Sequence, residues 1–373
     1  MTQSCPATVG QPLEAVDTPA LLVELDAYER NLARMAALVG AAGLRFRPHA
    51  KTHKSPLIAL DQIAQGAVGV CSQKVAEAEI LAQGGVRDIL IANQVVGEAK
   101  LARLAALARL ARISVCVDEA RNLADLSAAA EAYGVTLTVL VEIEVGGGRC
   151  GVQPGEPARA LAEQAAKAPG LRFGGLQAYN GGAQLIRDHG ERRAAVRRAA
   201  EATADTVALL SRAGLACEAV TGGGTGTLAH DIEAGVLTEL QAGSYLFMDT
   251  DYGLNLDETG AFDSRFENSL FVLSTVMSKP RPGLAVVDAG LKALAFNSSP
   301  PRVRDREGVR YLKPSDEHGK LELAVEDVVA YAEKLLLIPG HCDPTVNLYD
   351  WYVGVRGGRV ERVWPVAARG ALG

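Results

Sequence analysis

The six cysteines in these 373 residues fall singly along the chain, with no CxxC pair among them. A structural zinc site and a disulfide framework are therefore both excluded as organising principles, and Cys5, Cys71, Cys116, Cys150, Cys217 and Cys342 read mostly as small buried thiols. No uninterrupted apolar run reaches the roughly 18 residues of a membrane helix. The opening MTQSCPATVGQPLEAVDTP has no basic start followed by an apolar core. A soluble, cytoplasmic protein with no membrane partner is expected. Lys plus Arg total 38 and Asp plus Glu 44, a net charge of −6, without a long run of one sign. Nothing in that distribution would hold a polyanion, so nucleic acid is not an expected partner. The Walker GxxxxGK[ST] pattern is absent and no GxGxxG follows the first strand, which disfavours a nucleotide.

What the chain does have is length and a 48% hydrophobic composition, enough for one large core and a smaller one. After an extended ALLVELD (20–26) and the helical AYERNLARMAALVGAAG, eight strand candidates follow. They are 44–50, 68–72, 88–93, 113–118, 137–145, 171–179, 218–224 and 239–245. Amphipathic stretches such as KVAEAEILAQGG, EAKLARLAALARL and ARNLADLSAAAEAYG separate most of them. Apolar strands joined by amphipathic helices predict a parallel sheet, and eight such units over roughly 220 residues fit a (β/α) TIM-type barrel better than an open doubly wound sheet. Beyond residue 255 strands follow one another without helices between them, which predicts a second, mainly antiparallel β domain. The expected division is residues 27–254 for the α/β barrel, with 1–26 and 255–373 in the β domain.

In a barrel of this type the chemistry collects at the C-terminal ends of the strands. Lys51, in the basic stretch RPHAKTHK (47–54), sits at such a turn, as do Ser72, Gln73, Asn93, Arg149 and Tyr179. The loops TGGGTGT (221–227) and AGSY (242–245) are either plain βα turns or, taken together, a cup of backbone N–H groups for a phosphate. An anion cup facing a lysine across a barrel mouth suggests pyridoxal phosphate held as a Schiff base, since an amine made more acidic by partial burial suits an imine. In HCD (341–343), His341 and Asp343 would point the same way on an extended segment and could share an ion, with Cys342 facing away. On spacing alone, a structural histidine and a capping aspartate before Pro344 is the commoner meaning. SDEHG (315–319) is either part of a metal shell, through Asp316, Glu317 and His318, or a hairpin turn. His53 and Lys54 open the first barrel helix or line the pocket, His49 packs beneath the lysine, and His189 and His230 read as surface residues.

RPHAKTHK, CSQKVAEAE (71–79), GGGRCGV (146–152), QAYNGG (177–182), GGGTGT, ELQAGSYLFMDTDY (239–252), VVDAGLKA (286–293), SDEHG and PGHCDPTVNLYDW (339–351) together resemble the D-threonine aldolase group of the alanine-racemase-like (fold type III) pyridoxal phosphate enzymes. The resemblance spans nearly the whole chain. It implies that Lys51 carries the cofactor, that Arg149 partners the pyridine nitrogen, and that Tyr179 meets the ring. Gln73, Gly224, Thr225, Gly243, Ser244 and Tyr245 would contact the cofactor or its phosphate. It also implies a divalent ion, Mn²⁺ ahead of Mg²⁺ or Co²⁺, on His341 and Asp343, which with Lys51 form the catalytic set. Asp288 and Lys292 match the family without a role that follows from their chemistry.

The implied activity is retro-aldol cleavage of D-3-hydroxy-α-amino acids to glycine and an aldehyde by a homodimer whose barrel mouth is covered by the partner's second domain. A D-serine or 3-hydroxyaspartate dehydratase or aldolase on the same scaffold is the nearest alternative, and a non-catalytic pyridoxal phosphate carrier a more distant one. One departure stands out. Relatives often carry a histidine in the loop after the Tyr179 strand, where this chain has Leu185. Either the ion generates the base unaided, or His189 replaces that histidine. The leucine should favour apolar β-substituents over a carboxylate.

Overall fold

The computed structural model describes residues 4–324 and 328–373. Its strands are β1 (Ala20–Glu24), β2 (Arg45–Phe46), β3 (Val70–Ser72), β4 (Asp88–Gln94), β5 (Arg112–Val117), β6 (Leu137–Glu142), β7 (Leu171–Ala178), β8 (Ala219–Gly222) and β9 (Glu239–Leu240), followed by β10 (Leu270–Arg281), β11 (Leu284–Val287), β12 (Arg302–Val303), β13 (Val309–Pro314), β14 (Gly319–Leu323), β15 (Lys334–Ile338), β16 (Trp351–Arg356) and β17 (Arg359–Pro365).

Strands β2 to β9 form one parallel sheet in the order β2-β9-β8-β7-β6-β5-β4-β3. Its two ends meet: His49 bridges Cys71 in parallel, and the Cys71 N–H donates to the Pro48 carbonyl at 2.9 Å. That closure makes it a barrel and disposes of the open-sheet alternative. The period-2 pleat sorts the side chains. Ile89, Ile91, Ile113, Val115, Val117, Val139 and Val141 pack outward with the helices, whereas Cys71, Leu90, Ala92, Cys116 and Leu140 form a separate small cluster. At the opposite end from the strand C-termini, buried Arg47 ties β2 to β9 and β4, with Nε 2.8 Å from Glu239 Oε1 and Nη1 2.6 Å from Asp88 Oδ1.

The second sheet has nine strands in the order β11-β14-β13-β12-β15-β10-β1-β16-β17, and β11 also pairs with β10. Strands β10 to β15 thus close into a six-stranded antiparallel barrel, with β1, β16 and β17 extending it. Only β1 with β16 runs parallel among its named pairings. Strands β12, β13 and β14 lie in polar sequence that had not read as strand. SDEHG caps the β13–β14 hairpin, where the Ser315 N–H donates to the His318 carbonyl at 2.8 Å. Its Glu317 pairs with Lys292, and Asp316, Glu317 and His318 are exposed. Asp288 ties this sheet together at its edge with β1, accepting from Ser274 Oγ at 2.7 Å and Thr18 Oγ1 at 2.6 Å.

The structure alters the extended reading of HCD. Only His341 is extended, with φ −142° and ψ 122°, and Cys342–Val346 is a short helix. Pro344 early in that helix suits its first turn, where a missing N–H costs nothing. Among the described residues, no helix is long and apolar enough to cross a membrane.

Candidate active site

Lys51 lies on a 3-10 turn, Ala50–Thr52, immediately after β2. Its neighbours explain the crowded basic stretch. Lys54, buried and at φ 50°, pairs with the buried Glu77 at 2.8 Å, and Glu77 Oε2 accepts the Gln73 N–H at 2.7 Å. His53 is fully buried, and its carbonyl accepts the Tyr352 hydroxyl from β16 at 2.7 Å. Lys54 and His53 therefore clamp the turn to the next barrel unit and to the second sheet, leaving Lys51 as the member aimed outward. His49 supports it from below: its Nδ1 accepts the Lys51 N–H at 3.4 Å, and its Nε2 is 2.8 Å from the Gln73 amide. Burial, followed by the neighbouring Lys51 charge, pushes the His49 pKa well below the usual histidine value, so the ring is neutral.

The Lys51 ammonium meets Asp343 Oδ2 at 2.6 Å, with the lysine side chain 40% and the aspartate side chain 13% exposed. Burial, the largest single influence, works to lower the Lys51 pKa, but the Asp343 charge and hydrogen bond together with the Tyr179 and Cys342 groups hold it above the ordinary lysine value. This is opposite in sign to the acidified amine expected from burial alone. Burial also works to raise Asp343, yet Lys51 and then His341 keep its carboxyl well below the usual carboxylate range. The His341 Nδ1 is 3.2 Å from the Asn297 side-chain amide.

A cavity of about 140 Å³ opens above Lys51 and is lined also by Gln73, Arg149, Tyr179, Gly224, Thr225, Gly243 and Ser244. Sequence reasoning had gathered those residues. Tyr245 is the exception. Its side chain turns away into the core, with its ring 5.5 Å from Phe46 and 5.4 Å from Phe266 and its hydroxyl accepting from Gln62 Nε2 at 3.1 Å. Only its N–H serves the loop, donating to Thr225 Oγ1 at 2.9 Å. Burial of a phenol ring outcompetes exposure at this position.

Arg149 sits with its guanidinium 5.7 Å from the Tyr179 ring centre and 3.6 Å from Glu142 Oε1. Burial raises the Glu142 pKa against the hydrogen bond from Gln94 Nε2, which is 2.6 Å long. Residues missed by sequence reasoning also line the cavity: Thr52, Gln177, Gln241 and Tyr252. Gln177 and Gln241 exchange amide hydrogen bonds of 3.1 and 2.8 Å across the floor. Both belong to motifs already noted, QAYNGG and ELQAGSY, and the inward phase of β7 and β9 was the available signal.

The glycine loops are close-fitting. A Cβ on Gly224 would lie 2.3 Å from Gln184 Oε1, and one on Gly243 would lie 2.7 Å from Thr52 Oγ1. Such a cradle, with the Thr225 and Ser244 hydroxyls beside it and an amine across the cavity, fits a phosphorylated aldehyde. His341 and Asp343 could serve as donors to an ion, and no group of three His, Cys, Asp or Glu converges among the described residues. A two-residue donor set leaves the rest of the coordination sphere to water and substrate. Leu185 is 40% exposed and outside the cavity lining, and His189 packs edge-on against His230 with ring centres 4.6 Å apart.

Residues 23–251 match the alanine racemase N-terminal domain and residues 269–355 a serine dehydratase domain. The chain is 49% identical over 369 residues to the D-threonine aldolase of Arthrobacter sp, covering 98% of this chain and 96% of that one. It is 48% identical over 369 residues to the 3-hydroxy-D-aspartate aldolase of Paracoccus denitrificans (strain Pd 1222), covering 98% and 95%. The crystal structure of D-threonine aldolase from Filomicrobium marinum superposes with a TM-score of 0.97 at 51% identity over 100% of both chains. The D-threo-3-hydroxyaspartate dehydratase from Delftia sp. HT23 is more distant, at 27% identity and a TM-score of 0.84, covering 95% and 98%.

Proposed function

From the premise that this chain belongs to the family of the alanine racemase N-terminal domain, we propose that it is a carbon-carbon lyase, cleaving D-3-hydroxy-α-amino acids of the D-threonine type to glycine and an aldehyde with pyridoxal phosphate on Lys51 and a divalent ion on His341 and Asp343. The observation that carries this reading is the 2.6 Å approach of the Lys51 ammonium to the Asp343 carboxylate. It puts the amine that would hold the cofactor beside the carboxylate that would hold the ion, so one small substrate can reach both through its α-amino and β-hydroxyl groups.

Gly224, Thr225, Gly243 and Ser244 would hold the phosphate, Tyr179 the ring face, and Arg149 the ring nitrogen. When bound, the cofactor supplies an electron sink at Cα and the ion a Lewis acid, Mn²⁺ fitting an imidazole-carboxylate pair, at the β-oxygen. Arg149, held between Glu142 and Tyr179, would disfavour a proton on the ring nitrogen and so leave a weaker sink, which gives the ion at the β-hydroxyl side a larger share of the work. His341 and Asp343 orient the hydroxyl side of the substrate. Neutral His49 and Gln73 hold the Lys51 backbone in place without adding a charge. The Asn297 side-chain amide nitrogen, 3.2 Å from Nδ1, would fix the orientation of the His341 ring.

Incubation with D-threonine should yield glycine and acetaldehyde in equal amounts, assayed separately from 2-oxo acid. A 2-oxo acid as the main product would establish a dehydratase instead. In the same assay D-phenylserine should exceed D-3-hydroxyaspartate in kcat/KM. With Lys51 carrying the cofactor, the remaining cationic side chain of the cavity, Arg149, already has Glu142 3.6 Å away, so a second substrate carboxylate gains little from it. His189→Ala should leave kcat/KM largely unchanged because that ring is committed to His230.

We further propose a homodimer. In one chain the Lys51 side chain remains 40% and Arg149 57% exposed, more open than a reaction that must exclude water requires. Sedimentation should give twice the chain mass, and a fully active monomer contradicts this.

A further inference from the structure

Behind the glycine loop lies a carboxylic acid to which the proposed reaction gives no task. Asp231, on the Leu228–Ala234 helix, is buried. Its Oδ2 accepts the Thr227 hydroxyl at 2.6 Å. Thr227 Oγ1 in turn accepts the Gly224 N–H at 3.2 Å and Gln184 Nε2 at 2.9 Å. Gln184 Oε1 accepts the Gly226 N–H at 3.1 Å. One carboxyl thus anchors, through Thr227, the loop whose opposite face lines the cavity. It also touches that loop directly: a Cβ on Gly223, at φ +70°, would lie 2.6 Å from Asp231 Oδ2.

Among the described residues no cationic side chain forms an ion pair or hydrogen bond with the acid. The Thr227 hydroxyl and the Gly223–Gly224 backbone pack against it. On its other side is a cavity of about 30 Å³ lined by Asn180, Gln184, Thr203 and apolar residues, room for one water. Its charge is felt, as a minor influence, by the Tyr179 phenol. On its own helix, His230 and Glu233 lie 3.9 Å apart, with Glu233 paired to Arg193. Burial, against the Thr227 and Gly224 hydrogen bonds, pushes the Asp231 carboxyl up to about 7.

A phosphate on the front of this loop and a carboxylate on its back would be two anions separated by one layer of backbone in a poorly solvated place. We propose that Asp231 is a proton-linked positioning residue for the cofactor phosphate: the loop takes the phosphate with the Asp231 carboxyl uncharged, so binding draws one proton from solvent onto Asp231 while its other oxygen still accepts from Thr227. This rests on the placement of the phosphate at Gly224, Thr225, Gly243 and Ser244.

Pyridoxamine 5'-phosphate tests it, because its amine cannot bond to Lys51. Calorimetry between pH 6 and 8.5, in buffers of differing ionisation enthalpy, should show proton uptake by the wild-type apoprotein. Affinity should fall by up to about tenfold per pH unit above 7, the limit for one linked proton. In Asp231→Asn the uptake should vanish and the affinity above pH 7 should flatten, with the ligand's own phosphate titration common to both proteins. Asp231→Ala, which removes the Thr227 anchor, should bind more weakly at every pH. Equal pH dependence in wild type and Asp231→Asn overturns the inference alone. So does wild-type binding without proton uptake, which needs no variant. Failure of wild type to bind at any pH overturns the cofactor placement and this inference with it.

Discussion

Replacing Lys51 with alanine is expected to abolish cleavage of D-threonine, a loss of at least about 10³-fold, the scale on which enzymes fail when a covalent group is removed. Borohydride reduction of the wild-type protein should fix a pyridoxyl group on Lys51 and leave Lys54 and Lys74 unlabelled. The selectivity has a structural cause. Lys54 is in a buried pair with Glu77 at 2.8 Å and its turn is packed under the barrel rim, whereas Lys51 opens onto the cavity. Lys51→Ala also leaves Asp343 without its partner. Losing one member of a fully buried pair costs about 3–5 kcal/mol, and this pair, with the lysine 40% exposed, should cost less because water screens it. The thermal melt should therefore fall modestly while the fold survives, which separates loss of chemistry from loss of structure. A label on another lysine, or turnover by folded Lys51→Ala, would sink the assignment.

The position of Lys51 was legible because barrel strands in this chain carry apolar residues on both faces, and a basic cluster after such a run stands out. Strand lengths were less legible. The segment 44–50 keeps regular pairing only at Arg45–Phe46, since Pro48 has no N–H to donate and the chain then peels away into the Ala50–Thr52 turn. The segment 239–245 likewise pairs only at Glu239–Leu240 before the Gly243 turn. Tyr245 was misplaced because a local motif does not tell which side of a turn a ring will take, and three-dimensional packing against Phe46 and Phe266 decides it. The contact that defines the site joins residues 292 apart in sequence, and no periodicity reports it. The same limit hid Asp231. Within LAHDIEA it looks like an ordinary helix surface acid, and only the fold turns it beneath the glycine loop.

Chelation should remove aldolase activity while leaving the visible absorbance of the cofactor largely in place, and Mn²⁺ should restore it. The two losses separate because the proposed donors and the cofactor's cradle come from different elements. The phosphate cradle belongs to the loops after β8 and β9, while His341 and Asp343 lie after β15 on the second sheet. Outer-shell partners of a metal ligand are worth roughly 10–100-fold in affinity or activity, so Asn297→Ala, acting through His341, should fall in that range. A ligand itself should cost more. Asp343→Ala is expected to lose at least about 100-fold, and added Mn²⁺ should fail to rescue it. Cofactor absorbance must be followed in this variant, because the same substitution frees Lys51 from its 2.6 Å ion pair. Cys342→Ala provides the contrast. That side chain is 0% exposed; its thiol makes a weak 3.4 Å hydrogen bond to Asp343 Oδ1, which alanine removes, while its backbone N–H keeps the 2.9 Å bond to Asp249 Oδ2. Removing the buried sulfur should lower stability by about 1–2 kcal/mol, as small core truncations do, with activity largely retained. Full activity in rigorously metal-free protein, or wild-type turnover by Asp343→Ala, would show that the reaction proceeds without the ion and that the carboxylate beside Lys51 serves another end.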